Sequence, residues 1–195
     1  TLRYNTATKI ANIVGPSDID SEENHIYSEL GYYYTQQGQA ELLNRSVLTN
    51  EGKQLTGDSL FYDRNRGFGE AFYNVEFVDT ISKNMLTGNY CYYNQLTAYA
   101  FATDDAMAVD FSQGDSLFIH ADTLQMYTYH VNTDSLYREA RAYHKVRFYR
   151  TDVQGVCDSL VFSSKDSCLT MYRDPILWNG KQQLLGEKVM VYMND

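Results

Sequence analysis

The chain has 195 residues, 44% apolar and 21% charged, which is enough to bury a core and too apolar for a disordered tail. Its formal net charge of −9, from 25 acidic and 16 basic residues, repels phosphate backbones and excludes nucleic acid as an expected partner. No apolar run approaches the ~20 residues of a membrane-spanning helix, and Cys91, Cys157 and Cys168 lack the number and spacing of a disulfide scaffold or a zinc site.

Eighteen Tyr and nine Phe beside only two Pro favour strands, because these rings suit half-buried pleated surfaces. In chain order, the acidic run Asp18 to Asn24 reads as a loop. A repeated strand follows. Gly57-Asp58-Ser59-Leu60-Phe61-Tyr62 returns as Gly114-Asp115-Ser116-Leu117-Phe118-Ile119, and more loosely as Cys157-Asp158-Ser159-Leu160-Val161-Phe162. Degenerate copies begin at Gly31, Gly88 and Gly186. The glycine intervals are 26, 31, 26, 41 and 31 residues, with the polar stretch Tyr129 to Ser135 absorbing the long one as a loop. Such an interval has room for two strands and two turns.

Within the copies, Leu60 and Tyr62 alternate with Ser59 and Phe61, as in a half-buried strand. Second strands are expected at Ala71 to Phe77 and Ala142 to Phe148, where Ala, Val and Phe recur at even offsets on one face. The segment Asp134 to Lys145 has helical propensity, but its end matches the repeat and it is read as strand. Asp63 to Gly67 and Asn179-Gly180 are turn signals, the latter the strongest hairpin signal in the chain. A unit of this size cannot bury its own apolar face, so neighbours must stack. A folded stack of antiparallel strands (jelly roll or sandwich) and an open solenoid both satisfy that requirement, and both leave strand edges at their ends.

Motifs for catalysis are weak. Gly-Asp-Ser-Leu is also the nucleophile signature of a serine esterase family, whose base lies in an Asp-x-x-His motif. The residues three before the four histidines are Glu22, Leu117, Tyr127 and Arg141, none of them Asp. Ser59 and Ser116 therefore lack a base, and no enzyme activity is expected. His25, His120, His130 and His144 show no metal-binding spacing, and no cofactor is expected. Lys145, Arg147 and Arg150 form a small basic cluster, read as a solvated strand face before a lipid head-group contact. Cys157 and Cys168 are either partners across a hairpin or ordinary core thiols. Asn44-Arg45-Ser46 has the form of a glycosylation sequon without a secretory context to support it.

The strand Gly57 to Asp63, followed by Gly67-Phe68-Gly69-Glu70-Ala71-Phe72-Tyr73-Asn74-Val75, resembles the OstA-like family. So does Asp174-Pro175-Ile176-Leu177-Trp178 followed by Gln183-Leu184-Leu185-Gly186. That family includes the lipopolysaccharide-transport protein LptA and the N-terminal domain of LptD. The likeness runs from about Ile13 to Tyr192, and its tyrosine-rich style is most similar to the Bacteroidetes members. The resemblance implies an all-β fold: a twisted, V-shaped β-jellyroll of stacked antiparallel strand pairs, with residues 1–195 as a single domain. It implies a periplasmic protein that holds the acyl chains of lipopolysaccharide or a lipid A-like glycolipid in an apolar groove. Partners would be other Lpt-type envelope proteins, or further copies, joined edge to edge. Thr1 in place of Met fits a chain trimmed of its leader or an upstream part, and Asp195 follows a strand closely enough that a C-terminal portion is expected beyond it.

The repeat phase points Leu60, Tyr62, Cys91, Tyr93, Leu117, Ile119, Leu160, Phe162, Val189 and Val191 inward, with Val75, Phe77, Val146 and Phe148 as their second-strand equivalents. In the resembling family such residues face the lipid; without a ligand they are core. The competing functions are a non-catalytic β-repeat scaffold of the envelope and a carbohydrate-binding surface, the latter marked by exposed Tyr ladders.

Overall fold

A computed structural model describes residues 1–20, 25–50, 52–112 and 114–192. The described residues contain strands and turns and no helix, so the all-β expectation holds. Contacts divide the chain into two compact units, residues 1–96 and 97–195. The first contains β1 (Leu2–Asn5), β2 (Ile10–Asp20), β3 (His25–Tyr34), β4 (Gln39–Asn50), β5 (Lys53–Asp63), β6 (Phe68–Asp79) and β7 (Asn84–Asn94). The second contains β8 (Tyr99–Asp110), β9 (Leu117–Tyr129), β10 (Tyr137–Tyr149), β11 (Val153–Ser163), β12 (Cys168–Tyr172), β13 (Ile176–Asn179), β14 (Gln182–Leu185) and β15 (Lys188–Tyr192).

Within each unit the strands pair antiparallel with their neighbours in sequence as far as β11. Beyond it, β12 pairs with one end of β11 and β13 with the other. β14 then adds to β13, and β15 to β12. The pairs β12–β13 and β14–β15 are thus single long strands, each interrupted in its middle.

That interruption recurs. The even-numbered strands carry two adjacent non-glycine residues in the left-handed region: Asn44-Arg45 in β4, Tyr73-Asn74 in β6, Asp104-Asp105 in β8 and His144-Lys145 in β10. Arg173-Asp174 plays the same part between β12 and β13, and Gly15, at φ 90°, does so in β2. Each marks a register shift. A bulge of this kind bends its strand, so each unit has two limbs meeting along a line of bends. We call limb A the half carrying Leu42, Leu60 and Leu160, and limb B the other.

Left-handed conformation is costly for Tyr73, Arg45 or Lys145, roughly 1–2 kcal/mol per residue. Side chains on the outside of the bend hold it. Asp58 accepts from Asn74 Nδ2 at 2.7 Å and pairs with Arg45 Nη1 at 3.5 Å, while Arg45 donates to the Asn74 carbonyl at 2.6 Å. Asp158 lies between His144 at 3.2 Å and Arg173 at 3.1 Å. Lys145 reaches Asp122 at 3.1 Å, and Asp105 reaches His120 at 2.9 Å. On the inside the groups are compact, the largest being Val75 and Val146 at 2% and 1% exposure. Ser28 and Ser46 are fully buried and share a hydrogen bond at 2.8 Å, and Ala106 and Ala121 have no exposed surface.

Several expectations change. The true counterparts of Gly57-Asp58-Ser59-Leu60 at the bend are Gly88-Asn89-Tyr90-Cys91, Ala121-Asp122-Thr123-Leu124 and Cys157-Asp158-Ser159-Leu160, as the registers of β7, β9 and β11 require. Gly114-Asp115-Ser116-Leu117 is a false copy: it precedes the bend, and Gly114 and Asp115 are exposed outside any strand. The degenerate copy at Gly31 is also out of phase, because the bend of β3 falls at Ser28-Glu29. Asp18 to Asp20, expected in a loop, continue β2, pairing with His25 to Tyr27; the remainder of that run, 21–24, lies outside the described residues. Asp134 to Lys145 does become strand from Tyr137 onward, and Asn179-Gly180 does turn the β13–β14 hairpin. Cys168 pairs with Ser163 and Cys157 with Val146, so the two thiols are not opposite each other; both are buried and free.

At Gly155 in β11 the packing leaves no room for a side chain. An added methyl would overlap the ring of Phe148 and touch Met171 Cε at 3.1 Å. Gly155→Ala is expected to destabilise the protein by about 2 kcal/mol through overpacking. Adding Phe148→Leu in the same chain should recover part of the loss, as read from urea-denaturation midpoints.

Candidate functional site

Strand register sorts the side chains of each unit into rows. In the first unit, the limb A row next to the bend runs Leu2, Ile13, Gly31, Leu42, Leu60, Ala71, Cys91. From Ile13 onward every member is buried. The next row outward alternates Tyr with a small residue: Tyr4, Ala11, Tyr33, Ala40, Tyr62, Gly69, Tyr93. Tyr62 lies over Gly69, where an added Cβ would sit 3.7 Å from the ring. Tyr4, Tyr62 and Tyr93 remain 49%, 38% and 50% exposed, so this row forms a rim with a hydroxyl on every second strand.

Across the bend, limb B of the same unit carries Ile19, Ile26, Leu48, Leu55, Phe77 and Leu86 in one unbroken row. All six are large and apolar, and all are half-buried. At ~4.8 Å per strand the row is about 24 Å long. That exceeds half the ~30 Å hydrocarbon core of a bilayer, which is about the reach of one acyl chain.

The corresponding limb B row of the second unit is Ala108, Ile119, Phe148, Gly155, Leu177, Leu184. Its middle is filled from within, because the Phe148 ring covers Gly155 and Leu177 is 4% exposed, while Leu184 at its end is 51% exposed. Limb A of that unit has two rows that alternate small and large as far as β11 and stay large beyond it. Ala102, Leu124, Ala142, Leu160, Met171 and Val189 form one. Ala100, Met126, Ala140, Phe162, Leu169 and Val191 form the other.

Register places all the residues read as inward on this inner face of their own unit. Leu60, Tyr62, Val75, Phe77, Cys91 and Tyr93 belong to the first unit. Leu117, Ile119, Val146, Phe148, Leu160, Phe162, Val189 and Val191 belong to the second. They differ in access: Leu60, Val75, Cys91, Val146, Phe148 and Leu160 are buried in the protein's own packing, while Phe77, Leu117, Ile119, Phe162, Val189 and Val191 are half-buried. Of the limb B row in the first unit, sequence reasoning found only Phe77. The missed signal was the apolar residue two positions beyond each bend on the limb B side, as in Leu48 after Ser46 and Leu55 before Gly57.

Burial raises the Cys91 thiol to about 12 and the Cys157 thiol to about 11, which makes both inert apolar wall groups. Ser59 lies on the outer face of limb A, and Ser116 precedes β9. Arg150 pairs with Asp152 at 2.6 Å and Lys145 with Asp122 at 3.1 Å, so two of the three members of the small basic cluster are engaged by neighbours, while Arg147 is exposed. The sequon residues form the β4 bend, with Ser46 buried. Among the described residues, no three His, Cys, Asp or Glu side chains gather to hold a metal ion.

No protein-family profile and no curated protein matches this sequence. Among solved structures the chain is similar to LptH of Pseudomonas aeruginosa, the LptA-homologous periplasmic component of the conserved lipopolysaccharide transport device. The TM-score is 0.51 at 15% identity, over 73% of this chain and 95% of that one. At that identity the likeness establishes the fold: an open antiparallel β-jellyroll of the LptA kind.

The outer bend carries a carboxyl whose titration is coupled to its partners. The Asp158 carboxyl is held below its ordinary value of 3.8, first by the Ser159 hydroxyl and then by His144. A carboxyl with a lower pKa in the folded state stabilises the fold above 3.8, and that contribution disappears as pH falls through the folded value. Asp158→Asn is therefore expected to unfold at lower urea than the parent at neutral pH. The gap should close as pH drops below 3.8, whereas a gap constant with pH would remove Asp158 from the titration.

Proposed function

We propose that this protein is a periplasmic component of lipopolysaccharide transport, related to the OstA-like proteins of the tyrosine-rich Bacteroidetes type. In this reading, residues 1–195 act as one domain that holds the acyl chains of lipopolysaccharide or a lipid A-like glycolipid on its inner face. The supporting observation is the limb B row of the first unit, six large apolar side chains in unbroken register, none fully buried by the protein itself. Each methylene laid on such a wall contributes ~0.8 kcal/mol on leaving water. Because the wall repeats every strand, a chain can advance by one strand spacing from one set of contacts to an equivalent set. The tyrosine rim next to the opposite wall suits the boundary between acyl chain and sugar.

The likeness to LptH supports the reading at the level of fold. Edges for partners are present. In the first unit β1 has every residue exposed; in the second so has β14, and β15 exposes Met190 and Tyr192 at 46% and 66%. Unpaired backbone N–H and C=O groups there can accept a further strand from another envelope protein or a second copy.

A photo-crosslinking residue placed at Leu48 or Phe77 is expected to give lipopolysaccharide adducts in a native envelope. The same group at Glu76, exposed on the other face of β6, should give none. Leu55→Asp is expected to weaken lipopolysaccharide binding roughly tenfold or more, because it sets a charge in the apolar wall. Equal labelling at Glu76 and Phe77 would count against the lipid role and favour a scaffold.

A further inference from the structure

The outer face of limb A in the second unit carries a trough that acyl-chain binding does not use. Its floor is β11, where Ser159 and Val161 present short side chains. One wall is β10, with Glu139, Arg141 and Tyr143. The other is Tyr172 at the end of β12, with Arg173 and Asp174 of the bend. Since β10 and β12 both pair with β11, the walls stand two strand spacings apart, about 9.6 Å. Register places Tyr143, Ser159 and Tyr172 in one row, a tyrosine on each side of the smallest floor residue. The depression has a volume of about 990 Å³, within the range of small-ligand sites, and Glu187 closes its border.

The walls are held in place without a ligand. Arg141 Nε donates to Glu139, and its guanidinium carbon lies 4.5 Å from the centroid of the Tyr127 ring. Tyr127 contacts Tyr99 at 4.9 Å, and Tyr129 stacks on Tyr137 at 4.7 Å, so Arg141 rests on a packed aromatic row. On the far wall, Lys188 Nζ stands 5.4 Å from the Tyr172 ring centroid, and Arg173 is tied to Asp158. Groups fixed beforehand lose less freedom when a ligand arrives.

The chemistry of the trough selects among ligands. Charged walls disfavour an acyl chain, and the carboxylates of Glu139, Asp174 and Glu187 disfavour a polyanion. A sugar presents a C–H face that packs on a tyrosine ring, and hydroxyl groups that pair with carboxylate and guanidinium. Tyrosine offers rigid amphipathic contact area for such a partner. We propose that this trough binds an oligosaccharide lying along β11. The assignment stands on the outer face alone and does not depend on lipid at the inner one.

The test titrates the full chain by calorimetry with two probes: the sugar portion of lipopolysaccharide stripped of its acyl chains and its phosphates, and the neutral glucan maltohexaose. Saturable binding at about millimolar Kd or tighter is expected for at least one of them. Tyr143→Ala and Tyr172→Ala should each weaken it fivefold or more, while Tyr73→Ala, at an exposed bend of the other unit, should not. Response to the deacylated probe alone identifies the glycolipid's own sugar as the ligand; response to maltohexaose identifies a free glycan. In the unaltered protein, the ring resonances of Tyr143 and Tyr172 should shift on saturation, a readout that survives any folding defect of the variants. Absence of binding by both probes, or binding that leaves those resonances unmoved, overturns the proposal.

Discussion

Everything in this fold depends on the bend. Two adjacent residues in left-handed conformation, repeated on alternate strands, turn what would be flat ribbon into paired limbs with an inside and an outside. The outside can be polar because the bend is exposed there, and the acids at Asp58, Asp122 and Asp158 face the donors that hold it. The inside must be compact, and Ser28, Ser46, Val75, Ala106, Ala121 and Val146 occupy it at 2% exposure or less. Single exposed ion pairs contribute little to stability. Here their value is geometric, since each ties one strand's bend to that of the next.

The bend also explains the most visible feature of the sequence. In Gly-Asp-Ser-Leu, the glycine sits at the apex, the aspartate braces the bend, the serine faces outward and the leucine returns to the inner face. A motif that reads as an esterase nucleophile is a structural hinge. Its chemistry tolerates Ala, Cys or Gly at the first position and Asp or Asn at the second, so the working copy in β9 is Ala121-Asp122-Thr123-Leu124. Matching letters selected Gly114 to Leu117 instead, seven residues early.

Much of the architecture was nonetheless legible. Tyrosine and phenylalanine abundance, alternation at Leu60 to Tyr62 and the even offsets of Ala71, Val75 and Phe77 led to the correct fold class. Less legible was which inner residues remain accessible. Leu60 and Phe77 share a face and a pattern, yet one lies in a row buried by its own packing and the other in a row left half-open. That difference arises only in the folded unit, and no local period encodes it. The left-handed pairs were partly hidden: Asn44, Asn74, Asp104 and Asp105 are types that tolerate this conformation, but Tyr73, Arg45 and Lys145 carry no turn signature of their own.

Within each unit the hydrogen-bonded ladder joins a strand only to those beside it, and side chains such as Arg45, which reaches Asn74, extend one strand further. Inserting or removing one bent pair would leave the remaining contacts unchanged, as in other one-dimensional repeat architectures. Each added pair lengthens the stack by about 9.6 Å. The distance such a molecule spans is then a count of strand pairs, adjustable in fixed steps by gene duplication without redesigning a core.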